Sequence, residues 1–129
     1  MRTIRLDSTP GTHYTTAIAG NGGTEIESFP GLRFDGFGKI EAIRIKSAEN
    51  LAWQVEILND SDEPEYIYRF AATDATQVAP NSWYYSASVS FPIPRSIEEQ
   101  GTVGIRNLSS TAKTVDTGGA LTLTLILVK

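Results

Sequence analysis

Apolar and polar residues alternate with a period of two along much of this chain. In residues 120–128, Leu121, Leu123, Leu125 and Leu127 share one phase, and Thr122, Thr124, Ile126 and Val128 the other. Successive strand side chains point to opposite faces, so the four Leu line one face of a strand; a helix would scatter them. The second phase begins polar and ends apolar. The pattern predicts a strand covered on one face throughout and on both faces toward its C-terminal end. A strand this apolar has to pair inside a sheet, because as a bare edge it would aggregate. Residues 102–108 read as a strand that sets Val103 and Ile105 against Arg106. Residues 109–119, rich in Ser, Thr and Gly, read as a solvated connection.

Similar patterns recur upstream. Residues 3–6 form a short strand ended by the turn signal Asp7-Ser8-Thr9-Pro10-Gly11. Residues 12–19 and 24–28 flank Gly20-Asn21-Gly22-Gly23 and predict a hairpin. Residues 29–38 carry Pro30 and several Gly around the anchors Phe29, Leu32 and Phe34, which predicts an irregular, partly buried connection. Residues 39–47 oppose Ile43 and Ile45 to Arg44 and Lys46, and residues 51–58 oppose Leu51, Trp53, Val55 and Ile57 to Gln54 and Glu56. Joined by a tight turn, these two segments predict an antiparallel pair. Residues 59–65 form an acidic turn closed by Pro64, and residues 66–72 another strand. A polar loop, residues 73–82, leads to the longest alternation, residues 83–93. There Trp83, Tyr85, Ala87, Val89, Phe91 and Ile93 face one way, and Tyr84, Ser86, Ser88 and Ser90 the other. Pro92 and Pro94 end it. Residues 95–100 suit one helical turn or a loop.

Eight to ten short strands and no long helix predict an all-β, single antiparallel β-sandwich over residues 1–129, with residues 1–10 a candidate N-terminal arm. Uneven loops and a strand count close to eight put the jelly roll first and an immunoglobulin-like sandwich second. A length of 129 residues supports one real core. The net charge of −4 argues against nucleic acid as a partner, which calls for a basic patch. The absence of cysteine excludes disulfides and thiolate metal sites. Residues 1–5 lack the apolar core of a signal peptide and no run is long enough to span a bilayer, so the expectation is folding in a cytoplasm with no membrane partner.

The chemistry is sparse. His13, the single histidine, sits beside Tyr14 on a Thr-rich strand, where a structural role outweighs that of a catalytic base. No phosphate-binding glycine loop, zinc spacing or nucleophile elbow occurs, so no enzyme, catalytic residue or cofactor is expected. Asp60, Asp62, Glu63 and Glu65 offer oxygen ligands but lack the spacing and glycine of an EF-hand; a solvated turn with no metal is the favoured reading. Glu98 and Glu99 read as surface charge rather than an acid/base pair. Asn107-Leu108-Ser109 and Asn59-Asp60-Ser61 match the glycosylation pattern and, without a secretion signal, mean little. Among Trp53, Trp83, Tyr66, Tyr68, Tyr84 and Tyr85, both Trp share the phase of their strands' apolar residues and belong to the core. Tyr84 is out of phase, on the serine face, and suits an interface or ligand platform.

The run Tyr85-Ser86-Ala87-Ser88-Val89-Ser90-Phe91-Pro92-Ile93-Pro94 is followed by Gly101-Thr102-Val103-Gly104-Ile105-Arg106-Asn107-Leu108-Ser109-Ser110-Thr111-Ala112-Lys113, a turn of small residues and an apolar strand. Over roughly the last third of the chain this resembles small jelly-roll virion proteins of tailed bacteriophages. The resemblance implies a structural protein of the virion, made in the host cytoplasm. Its expected role is capsid decoration (cement): a homo-oligomer, trimer favoured, binding the phage major capsid protein or other virion proteins. Phe29, Leu32, Phe34 and Tyr84 are the candidate interface residues, and residues 1–10 an arm that orders on binding. The alternative is a carbohydrate-binding module of a phage receptor-binding or tail-associated protein, which expects an exposed aromatic pair beside polar groups such as Asn81 or Arg69.

Overall fold

The structure, a computed structural model, describes residues 2–7, 27–98, 100–108 and 121–129. Its strands are Arg2–Asp7 (β1), Glu27–Leu32 (β2), Lys39–Ser47 (β3), Trp53–Leu58 (β4), Pro64–Phe70 (β5), Thr76–Ala79 (β6), Ser82–Pro92 (β7), Gly101–Asn107 (β8) and Leu121–Val128 (β9). A 3-10 turn, Ala72–Asp74, and a single helical turn, Arg95–Glu98 (α1), complete the described elements. Two antiparallel sheets form, in the orders β1-β9-β3-β7-β6 and β2-β8-β4-β5.

The pairing is nested. β4 pairs with β5, β3 with β7, β2 with β8 and β1 with β9, as in one long hairpin folded at the β4–β5 turn. That hairpin then rolls up, so that β9 also pairs with β3 and β8 with β4. This double-sheet roll of eight strands is a jelly roll, with β6 added at one edge through β7. β9 lies between β1 and β3, inside its sheet, and its four Leu are buried. Ile126 is buried too, on the opposite phase.

The sheets enclose a core of Phe34, Ile40, Ile43, Ile45, Trp53, Val55, Ile57, Phe70, Tyr85, Ile97, Val103, Ile105 and the β9 leucines. Each large apolar side chain buried here contributes about 1.5–3 kcal/mol relative to exposure. A bulge in β3 between Ile40 and Ala42 shifts its phase, which lets Ile40 and Ile43 both face inward. Toward one margin of the sandwich, Tyr66 of β5 stacks on Phe91 of β7 with ring centroids 4.4 Å apart, and its hydroxyl donates to the Pro92 carbonyl at 2.6 Å. Gly101 is required by a close approach: a Cβ there would overlap the Phe34 ring.

Three expectations change. Residues 39–47 and 51–58 do not pair with each other. The connection after Ser47 crosses from one sheet to the other, and each strand finds its partners elsewhere. Residues 29–38 are not wholly irregular; Glu27–Leu32 is a bulged strand opposite β8. The predicted loop 73–82 contains β6, whose return into β7 is made by Pro80 and Asn81, the latter at φ 57°. Asn tolerates that left-handed backbone better than most residues. Arg2–Asp7, within the candidate arm, is the edge strand β1 along β9. The hairpin expected over residues 12–28, including His13, falls almost wholly outside the described residues.

Candidate interaction surface

The outer face of the β1-β9-β3-β7-β6 sheet gathers side chains that are far apart in sequence. Lys46 of β3 lies in register with Tyr84 of β7 on one side and Thr122 of β9 on the other. One step along, Arg44 stands between Ser86 and Thr124. Next comes Ala42, between Ser88 and Ile126. Side chains directly opposite in a sheet sit roughly 5 Å apart at Cβ, so each row is a set of touching neighbours.

Two shallow depressions result. One, of about 330 Å³, is bounded by Arg44, Ile45, Lys46, Tyr84, Thr122 and Thr124. The other, of about 590 Å³, runs along Lys39, Glu41, Ala42, Arg44, Ser88, Val89 and Ile126. Arg44 belongs to both. Tyr84 is half-buried, while Arg44 and Lys46 are exposed. Among the described residues neither cation has an ion-pair partner. Among the described residues the smaller depression therefore joins two positive charges, one aromatic ring and two hydroxyls, with no carboxylate in its wall.

The opposite sheet offers different chemistry. All six residues of β4 are buried, including the outward Gln54 and Glu56. Arg69 donates to Gln54 Oε1 at 2.6 Å, and Arg106 Nε donates to Glu56 Oε2. These strand-to-strand bonds compensate the polar groups they cover. At one end of the sandwich a third depression, about 340 Å³, is lined by Asp60, Arg95, Ser96, Glu98 and Gln100. Nearby, Glu65 accepts from Ser96 Oγ at 2.8 Å and from Asn59 Nδ2 at 3.1 Å. Asn59 Oδ1 accepts from the Ser61 and Glu63 amides, folding the acidic turn back on itself. Among the described residues, no group of three or more His, Cys, Asp or Glu is arranged to hold a metal ion.

The candidate contact residues separate. Phe34 is fully buried, so its ring holds the core and is not available to a partner. Leu32 is half-buried and packs on that core. Phe29 occupies a β2 position opposite Val103. Tyr84 stands on the outer face of the sheet that does not contain β2. Trp53 and Tyr85 are fully buried, and Trp83, Tyr66 and Tyr68 pack partly buried against the core. An exposed aromatic pair is therefore not formed by these six residues. Burial raises the Tyr85 hydroxyl above the usual tyrosine range; its Leu51 hydrogen bond and the Trp53 side chain lower it, and Asp74 raises it. Tyr66 is raised by burial and by the Glu65 charge.

The sequence placed Tyr84 on a polar face but did not reveal its companions. The outward phase of Arg44 and Lys46 was legible within β3. Their meeting with Tyr84, Thr122 and Thr124 depends on the strand order β9-β3-β7, which no local pattern encodes.

No protein-family model matches the chain, and no curated protein matches it. Among solved structures, the insecticidal delta-endotoxin Cry8Ea1 of Bacillus thuringiensis is similar, with a TM-score of 0.44 and 14% identity over 99% of this chain. The chain spans 24% of the length of that toxin chain.

Proposed function

We propose that the chain is a non-enzymatic structural protein of a tailed-bacteriophage virion, a capsid decoration protein that acts as a homo-oligomer on the assembled head. The observation that carries this reading is the jelly roll with its interior filled by side chains. Recognition then falls to outer faces and loop ends, which suits adhesion between surfaces. Jelly rolls are an architecture of viral capsid domains, and the resemblance of the last third of the chain points the same way. Phage major capsid protein or another virion protein is the expected partner. Interface rules assign the affinity to buried apolar contacts and the register to a polar rim. The test is the solution mass by light scattering on a sizing column, followed by co-sedimentation with undecorated heads of the encoding phage. A species of three times 14.0 kDa that sediments with heads supports the reading. Failure to sediment with heads overturns it.

A second reading, a carbohydrate-binding module, is favoured by Tyr84. Its ring borders a depression walled by hydroxyl side chains, and an aromatic face beside polar groups is the chemistry that receives a sugar ring.

A further inference from the structure

We propose that the depression bounded by Arg44, Lys46, Tyr84, Thr122 and Thr124 binds an acidic saccharide, one bearing carboxylate or sulfate groups. The inference rests on the carbohydrate reading and narrows it to a charge class.

Three features of the site agree. The first is shape. At about 330 Å³ the depression sits at the small end of ligand pockets and suits one or two sugar rings better than an extended polymer surface. The second is the lining. Tyr84 offers an apolar ring, while Thr122 and Thr124 offer hydroxyls that both donate and accept, matching a ligand rich in hydroxyl groups. The third is charge. The protein carries a net charge of −4, yet among the described residues this depression is walled by Arg44 and Lys46 with no carboxylate. Both lie on β3, two residues apart on the same face, and both line the depression. Cations beside an aromatic ring form charge-assisted hydrogen bonds with an anion, and a guanidinium matches a carboxylate or sulfate in a fork. An acidic peptide would satisfy the cations as well. Its acidic side chains would bring no ring face to lie against Tyr84, so the saccharide is favoured.

The experiment measures binding of the full chain by calorimetry and amide chemical-shift mapping. The probes are a uronic-acid oligosaccharide, its neutral methyl-ester counterpart and a glutamate peptide of equal charge. The expected result is uronate binding about tenfold or more tighter than the ester, with the peptide weaker still and shifts centred on Arg44, Lys46, Tyr84, Thr122 and Thr124. Tyr84→Ala abolishes it, and Lys46→Gln weakens it about tenfold while reducing its salt dependence, both variants keeping the parent's circular dichroism and solution mass. Equal binding of acid and ester overturns the acidic-saccharide inference and leaves the carbohydrate reading standing. No binding of either overturns both. Peptide binding as tight as uronate overturns the inference and assigns the face to an acidic protein partner.

Discussion

The Tyr85 hydroxyl closes on the backbone of Leu51 from 34 residues away. It accepts from the Leu51 amide at 2.9 Å and lies 2.7 Å from the Leu51 carbonyl oxygen, with Asn50 Oδ1 at 2.9 Å as a further acceptor. One hydroxyl has one proton, so the two acceptors share it. The contact fastens the crossing between the two sheets to β7, at the point where the chain leaves one sheet for the other. Ser47, buried at the start of the crossing, ties it from the other side by donating to the Glu49 carbonyl at 2.7 Å.

Tyr85→Phe keeps the ring, and its edge-on contact with Phe70 at 5.7 Å, but leaves a buried amide and carbonyl without their partner. The expected loss is about 1–3 kcal/mol, the desolvation cost of an unmet buried group. Urea unfolding measures it. A loss below about 0.5 kcal/mol would show that water enters the crossing and replaces the hydroxyl.

The same hydroxyl makes stability fall in alkali. Burial raises the Tyr85 pKa in the folded protein, so the folded state holds its proton more tightly than the unfolded chain. The contribution is complete below the ordinary tyrosine value of about 10 and is lost as pH climbs through the raised folded value. Tyr66 acts in the same direction, raised by burial and by Glu65. Denaturant midpoints of the parent and of Tyr85→Phe, taken from pH 8 to 12, should converge as pH rises. Parallel curves would show that Tyr85 ionises in the folded state as freely as in the unfolded one.

Gly101→Ala tests the packing at the start of β8. The new methyl overlaps the Phe34 ring, which is fully buried and so has no open space to retreat into. Overpacking of this kind costs about 1–3 kcal/mol. Combined with Phe34→Leu, which vacates the ring's space, the penalty should shrink below the sum of the two single changes in thermal unfolding.

Much of the sandwich was legible in the chain. Period-two patterns in β7 and β9 identified their inward faces, because burial of one sheet face forces that alternation. The mistaken pairing of residues 39–47 with 51–58 has a physical cause. Two alternating segments joined by a short polar link look like a hairpin, and the alternative depends on Tyr85 and on partners 36 to 89 residues away. The bulge at Ile40–Ala42 was equally hidden, since it breaks the local period that signals a strand. Phe34 lay in a Gly- and Pro-rich stretch that read as an irregular, partly buried connection and a candidate interface; the small volume of Gly101 is what admits its ring to the core. The polar platform around Tyr84 was half visible, as an odd aromatic on a serine face, and became a site only through strand order.

Glu56 and Arg106 provide the last test, because they separate pairing from burial. The Glu56 side chain is 8% exposed and that of Arg106 27%. Glu56 lies opposite Gly104 on β8, which adds no side chain there, and Arg106 reaches it from two residues along the strand. Arg106→Leu strands a carboxylate under cover, with an expected loss of about 3 kcal/mol, the low end for breaking a buried pair because part of Arg106 remains in water. Glu56→Leu removes one partner of a cation that is already in contact with solvent, so its loss should be smaller. Replacing both with Leu removes the desolvation of two charges together with their attraction, and should recover most of the loss. Urea unfolding of the four proteins completes the cycle. Recovery in the double variant means the pair offsets its own burial without adding net stability. A double variant as unstable as Arg106→Leu means instead that the ion pair itself holds β8 against β4.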